Sequence, residues 1–283
     1  MPRINHNIPA MITASSLANV DRQLSKSLEK LSTGLRINRA SDDAAGLSVS
    51  EQLRTQVTGL AMGQRNAQDG ESLVNIAEGA LTELEAMLQR MRELSIQSAN
   101  DTLTSVERGY TEVEFDQLRT EIDRIVGCTQ FNSMRLLDGS APWGTTGGII
   151  HVGPNDNSTG NDVITITILG ISTGGLKITG AVDNVYITDQ VSATSAISSL
   201  DGALHSVNTL RANLGAITNR LEHAITNQAN QETNMAAAES VIRDTDFAAE
   251  TTQFTRNQIL AQSSTAMLAQ ANSLPQSVLS LLK

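Results

Sequence analysis

Phe247 to Leu282 reads FAAETTQFTRNQILAQSSTAMLAQANSLPQSVLSLL, inside a final stretch of residues 239–283. Phe247, Phe254, Ala261 and Leu268 recur every seven residues, and so do Leu260, Met267, Leu274 and Leu281. At about 3.6 residues per turn the two rows lie side by side as one broad apolar face. Thr251, Gln253, Asn257, Gln262, Ser263, Gln270 and Asn272 make the opposite face polar. Pro275 lacks an N–H and crowds the preceding turn, so the spacing predicts that the main helix stops near Leu274. Such a helix is not stable alone, because helices take most of their stability from packing. It needs a partner.

The first forty residues supply one. Residues 10–39 read as an amphipathic helix, with Leu24, Leu28, Leu31 and Leu35 spaced 4-3-4 and Gly34 interrupting near its end. Six Lys/Arg against two Asp/Glu make residues 1–40 basic. A basic amphipathic helix suits a membrane surface or a partner helix. The apolar stripe holds no Trp or Phe, which favours the partner. Two amphipathic helices cannot enclose a dry core, so the remaining apolar surface calls for further copies of the molecule.

Between the ends lies a longer helical framework. Ser41-Asp42-Asp43 supplies a cap for a helix running to Ser98, roughly 80 Å at 1.5 Å per residue. Its seam, Val74, Ala77, Leu81, Leu84, Leu88 and Met91, has coiled-coil spacing. A helix from Ser105 to Gly127 carries Phe115, Leu118, Ile122 and Ile125. Residues 139–193 hold ten glycines and short β-like runs at Ile149–Val152, Val163–Ile168 and Leu176–Ile178, read as hairpins. Helical spacing resumes through Leu200, Ala203, Val207, Leu210, Leu214, Ile217, Leu221 and Ala224, and weakens over the polar run from Asn227 to Asn234. The predicted fold class is mainly α: a long antiparallel helical bundle or coiled coil built from both ends of the chain, with a small central β-hairpin region. Boundaries fall at 1–42, 43–138, 139–194, 195–238 and 239–283.

Composition and motif spacing speak against several chemistries. Only 2% of residues are aromatic, so the core is aliphatic and suits packed helices better than a deep catalytic pocket. A net charge of -10, concentrated in the middle, argues against nucleic acid. The one cysteine, Cys128, excludes an internal disulfide and is expected to be buried or half-buried. His205 and His223 share a helical face but lie about 27 Å apart, too far for one metal. Glu222-His223 lacks the second histidine of a zinc-protease motif. Asn155 to Asp162 resembles a cation loop only in composition and reads as a turn, and Asn157-Ser158-Thr159 fits a glycosylation sequon. No signal peptide and no run of apolar residues long enough to span a membrane is evident.

Leu31-Ser-Thr-Gly-Leu-Arg-Ile-Asn38 with Ala40-Ser-Asp-Asp-Ala-Ala-Gly46 resembles the amino-terminal signature of bacterial flagellins. Ile242-Arg-Asp-Thr-Asp-Phe247, Gln258-Ile-Leu260 and Ala266 to Asn272, followed by Pro275-Gln276, Val278-Leu279 and Leu281-Leu282, resemble the carboxy-terminal one. Pro2, Arg3 and His6 depart from the commoner opening. His151-Val-Gly-Pro-Asn155 is similar to a short segment found in the middle of the family.

The resemblance implies a non-enzymatic filament subunit without cofactors. It implies export through the flagellar type III apparatus with no cleaved leader, and an extracellular location. Residues 1–42 and 239–283 would form the inner tube, with Leu24, Leu28, Leu31, Leu35, Phe247, Phe254, Leu260, Met267, Leu268 and Leu274 as its packing residues. The long helices would form the surrounding layer. Implied partners are further copies of the chain, the export chaperone, and the filament cap and hook-junction proteins, with neither nucleic acid nor membrane insertion. Gln89, Arg90, Glu93 and Leu94, with Glu114 nearby, resemble the surface bound by the animal Toll-like receptor for flagellin, and Arg90, Glu93 and Leu94 are expected off the seam. The competing readings are a hook–filament junction protein, a secreted enzyme on a helical scaffold, and an adhesin acting through the hairpins.

Overall fold

A computed structural model describes residues 6–139, 142–144, 146–156, 160–171 and 185–280, with side chains through Ser273. Leu176–Ile178 and Asn157-Ser158-Thr159 lie outside the described residues. The helices are α1 (Ile8–Thr33), α2 (Ala44–Ser98), α3 (Ser105–Cys128), α4 (Gln190–Arg243) and α5 (Phe247–Ser280). The strands are β1 (Gln130–Phe131), β2 (Met134–Arg135), β3 (Gly148–His151) and β4 (Val163–Ile166). The chain divides into two compact units, residues 1–55 with 234–283 and residues 56–233, so α2 and α4 each contribute to both.

Local chemistry sets the helix ends. Asn7 caps α1 by accepting from Ala10 N at 3.2 Å, and Pro9 sits in the first turn where its missing N–H costs nothing. Gly34 closes α1 rather than interrupting a longer helix: its φ of 73° is left-handed, and its N–H donates to Lys30 O at 2.8 Å. Leu35 therefore lies beyond the helix. Asp43 caps α2 by accepting from Gly46 N at 2.9 Å, while a hydrogen bond from Lys26 holds the Asp42 carboxyl below the ordinary carboxylate range. Thr104 and Glu107 form a capping box on α3. Asp246 caps α5 through Ala248 N and Ala249 N. At its far end α5 runs through Pro275 to Ser280, past the stop expected near Leu274.

The larger unit is a packed core. Val74, Ala77, Leu81, Leu84, Leu88 and Met91 of α2 are fully enclosed, as are Leu200, Val207, Leu210, Leu214 and Leu221 of α4, with Ile217 half-buried beside them. Phe115, Ile122 and Val126 close the core from α3. α4 begins at Gln190, ten residues before its first seam leucine, and continues unbroken through the polar run 227–234. There Gln228 is buried, and its Nε2 donates to Val152 O.

Two hairpins complete this unit. β1 and β2 pair antiparallel around Asn132 and Ser133, whose φ values of 48° and 64° fit a type I′ turn. This hairpin lies beyond Gly127, where the helical spacing ends, inside the 43–138 division to which the sequence assigned only helices. β3 and β4 pair antiparallel, Gly148 opposite Ile166 and His151 opposite Val163. The hairpin lies against a row of glycines on α2: Gly59 meets Pro154, Gly63 meets the Val152 carbonyl and Gly70 meets Ile150. A side chain at position 63 would drive into the Val152 backbone, whereas Gly79 on the same helix faces open space.

Gly63→Ala should therefore destabilise the chain by about 1–3 kcal/mol through forced backbone displacement. Gly79→Ala should stabilise it by about 0.5–1 kcal/mol through helix propensity. Urea unfolding of the two variants beside the native chain checks both signs.

Candidate assembly interface

α1 and α5 pack antiparallel within the smaller unit. At one end Asn7 Nδ2 donates to Ala271 O at 2.9 Å. Toward the other, Lys30 pairs with Glu250 at 3.6 Å and the Phe247 ring lies over Gly34. α1 turns Leu17, Val20, Leu24, Ser27 and Leu31 inward, and α5 turns Phe254, Asn257, Ala261, Ser264, Leu268 and Ala271. Both sets alternate three and four, the spacing of a coiled-coil seam. Beyond the helix ends the chain adds a short antiparallel bridge between Leu35 and Asp244. Arg36 N donates to Arg243 O at 2.7 Å and Thr245 N to Gly34 O at 2.9 Å. Arg243 also pairs with Glu51 of α2 at 2.7 Å.

The two predicted apolar rows of the final helix meet different environments. Phe254, Ala261 and Leu268 face α1, whereas Leu260 and Met267 are exposed, Met267 by 57%. Ile259 beside them is exposed too, over a shallow depression with Thr252, Thr255 and Arg256. Phe247 is exposed at the start of the first row. On α1, Leu24 and Leu31 lie on the inward row, but Leu28 does not: it is 51% exposed, and Ser27 takes the seam position. Leu28 belongs to the adjoining stripe, one turn after Leu24 and outside the contact with α5. Ile8, Met11 and Ile12 extend the exposed apolar surface of α1. The Leu274 side chain lies outside the described part. Spacing missed Asn7 and Ser27, of which only Asn7 had a legible signal, a capping residue just before Ile8-Pro9. Asn257 was read as part of the polar outer face, but it is 1% exposed on the inward row, three residues after Phe254 and four before Ala261.

Residues 4–141 match the family model of the bacterial flagellin N-terminal helical region, and residues 197–282 that of the C-terminal helical region. The chain belongs to the flagellin family. A flagellin of Halalkalibacterium halodurans is 46% identical over 280 residues, with 99% of each chain covered. A flagellar filament 33 kDa core protein of Treponema phagedenis is 45% identical over 287 residues, again with 99% of each covered. A solved structure described as a flagellar hook-associated protein of Vibrio parahaemolyticus is 13% identical, with a TM-score of 0.58 over 71% of this chain and 99% of that one, a likeness of fold alone. Flagellins are structural proteins, not enzymes. No described helix is long and apolar enough to cross a membrane.

In this family member the larger unit carries a second surface of interest. Arg90 bridges α2 and α3, pairing with Glu114 at 2.8 Å and with Glu93 at 3.0 Å. Gln89 is exposed beside it, 3.4 Å from Glu85. Leu94 is not part of that surface. It is 2% exposed, inside the core, because α2 is flanked on one side by α3 through Arg90–Glu114 and on the other by α4 through Arg92–Asp201. Two neighbours bury a stripe wider than one seam. Cys128 is exposed, against expectation: two residues beyond the buried Val126, it has turned about 200° to the outer face of α3.

Glu112 is a buried carboxylate of this unit. Its Oε2 accepts from Ile187 N at 2.6 Å, and Ser98 Oγ donates to Ile187 O, so the chain entering α4 is held from both sides. Burial pushes the Glu112 carboxyl above its ordinary value of 4.5. The Ile187 N–H and Arg119 oppose that shift, and the Asp116 charge adds to it. The folded chain thus holds this proton more tightly than the unfolded chain does. The corresponding stability is fully present below the ordinary value and is lost as pH rises through the elevated one. Glu112→Gln keeps an oxygen for Ile187 and removes the buried charge. Its melting temperature should exceed the native one at pH 7, and the gap should close near pH 4.

Proposed function

We propose that this chain is a filament subunit that polymerises through its paired termini into the hollow fibre of a bacterial flagellum and serves swimming motility. The observation carrying this reading is the division of α5 into two apolar rows. One is covered by α1, and the other, with Ile259, Leu260 and Met267, is exposed. Identities of 46% and 45% over nearly full length, to a flagellin and to a flagellar filament core protein, support it. Axial stacking of identical subunits through different faces is an open association, which builds fibres rather than closed rings.

Residues 1–42 and 239–283 form the inner tube, 43–138 and 195–238 the surrounding layer, and 139–194 its hairpins. Leu24, Leu28, Leu31, Leu35, Phe247, Phe254, Leu260, Met267, Leu268 and Leu274 pack the tube, some within a subunit and the exposed ones between subunits. The chain reaches the cell exterior through the flagellar export apparatus with its chaperone, and meets the cap and hook-junction proteins at the fibre's ends. Gln89, Arg90, Glu93 and Glu114 form a polar surface suited to an animal Toll-like receptor. Leu94 supports it from beneath rather than touching the receptor. Purified monomer should elicit dose-dependent receptor signalling, and Arg90→Ala should weaken it; silence at saturating protein would end that part of the reading.

A chain lacking residues 240–283 should stay helical and soluble yet form no fibres. Leu260→Asp with Met267→Asp should do the same while leaving the unfolding of the larger unit unchanged. Seeding on filament fragments separates the reading from that of a junction protein. Continuous growth supports the filament subunit, and arrest after one layer supports the junction protein.

A further inference from the structure

Pro275 is expected to end α5, yet the helix passes through it to Ser280. A proline at that position has no N–H for the carbonyl of Ala271, four residues back, and a proline ring crowds that carbonyl. The Ala271 carbonyl accepts instead from Asn7 Nδ2 at 2.9 Å. Ala271 is itself buried, so a carbonyl left without a donor there would be costly. The same Asn7 side chain uses its oxygen to cap α1, accepting from Ala10 N at 3.2 Å. One amide therefore closes two helix defects, the open start of α1 and the gap opened by Pro275. It does so only when the helices lie alongside each other.

We infer that Asn7 is a clasp which makes Pro275 a conditional helix stop. Without α1 alongside, the proline ends α5 near Leu274, as the isolated sequence predicts. With α1 in place, the clasp supplies the missing donor, and the last turns through Ser280 become helical. Order in the extreme carboxy terminus thus reports correct pairing of the two ends. The clasp also selects the register. A heptad seam tolerates a slip of seven residues, but such a slip carries Asn7 about 10 Å from Ala271.

This inference rests on the proposed polymerisation, and its test separates the two. Asn7→Ser and Asn7→Asp keep a capping oxygen of comparable quality but lose the amide donor. Full-length native chain, the two variants, Pro275→Ala and the corresponding double variants are grown on filament seeds. The free-subunit concentration at the plateau is then read. Loss of one hydrogen bond to a buried carbonyl should raise that concentration about five- to tenfold in either Asn7 variant. Backbone hydrogen exchange over residues 272–280 of the filaments should accelerate in parallel. Pro275→Ala restores an N–H for the Ala271 carbonyl, so each double variant should return to within about twofold of Pro275→Ala alone. Native-like growth by both Asn7 variants would overturn the clasp, and so would a defect of equal size in the Pro275→Ala background. Failure of the native chain to grow on its own seeds would instead overturn the polymerisation reading.

Discussion

Two helices in contact cover one stripe on each partner, and this limit governs the smaller unit. α5 carries two apolar rows and α1 has room against it for one. Phe254, Ala261 and Leu268 take that room, leaving Leu260 and Met267 in solvent. The larger unit escapes the limit because α2 has neighbours on two sides, and the hairpins add Leu136, Val152, Ile164 and Ile166 to the enclosure. The same three-four spacing thus gives a closed interior in one unit and an open face in the other. What differs is the number of elements around the seam.

This difference also decides what could be read from the chain beforehand. The seam of α2 was legible residue by residue, since spacing alone places Val74, Leu81, Leu84, Leu88 and Met91 on one line and enough neighbours exist to bury that line. Leu94 was not legible, because its burial comes from a second neighbour that no pattern within α2 announces. Cys128 was misread for a related reason: its adjacency to Ile125 and Val126 in sequence says less than its turn around the helix axis. The β1–β2 hairpin went unseen because two-residue strands have no periodicity, though Asn132 is a residue that tolerates a positive φ. The exposed face of α5 was half legible. Its apolar character was plain, but which row is covered within the chain depends on the register with α1, and polar groups set that register.

Those polar groups lie where a stable helix pair would ordinarily place leucine. Asn257 is 1% exposed on α5, its Nδ2 has no partner among the described residues, and Ser27 is nearly as deeply enclosed on α1. A buried asparagine in a seam lowers stability and is a known device for fixing register. The bonds at the two ends act in the same direction: Asn7 to Ala271 at one, the Gly34–Arg36 backbone against Arg243–Thr245 at the other. Each is directional and short in range, so each tells one alignment from the next, which apolar contacts spaced by heptads do poorly.

Specificity and adhesion are therefore assigned to different faces of the same two helices. The inner face holds few large apolar groups for its length, and its hydrogen bonds favour one register. The outer face holds Met11, Ile12, Leu28, Ile259, Leu260 and Met267, all apolar and all exposed. If the inner face were apolar throughout, the pair would be stronger but free to settle in the wrong alignment, and every misaligned pair would present its outer rows out of step. In the filament subunit proposed above, whose outer rows would have to match those of many identical copies, a weaker and better-aligned pair is the arrangement that would propagate without error.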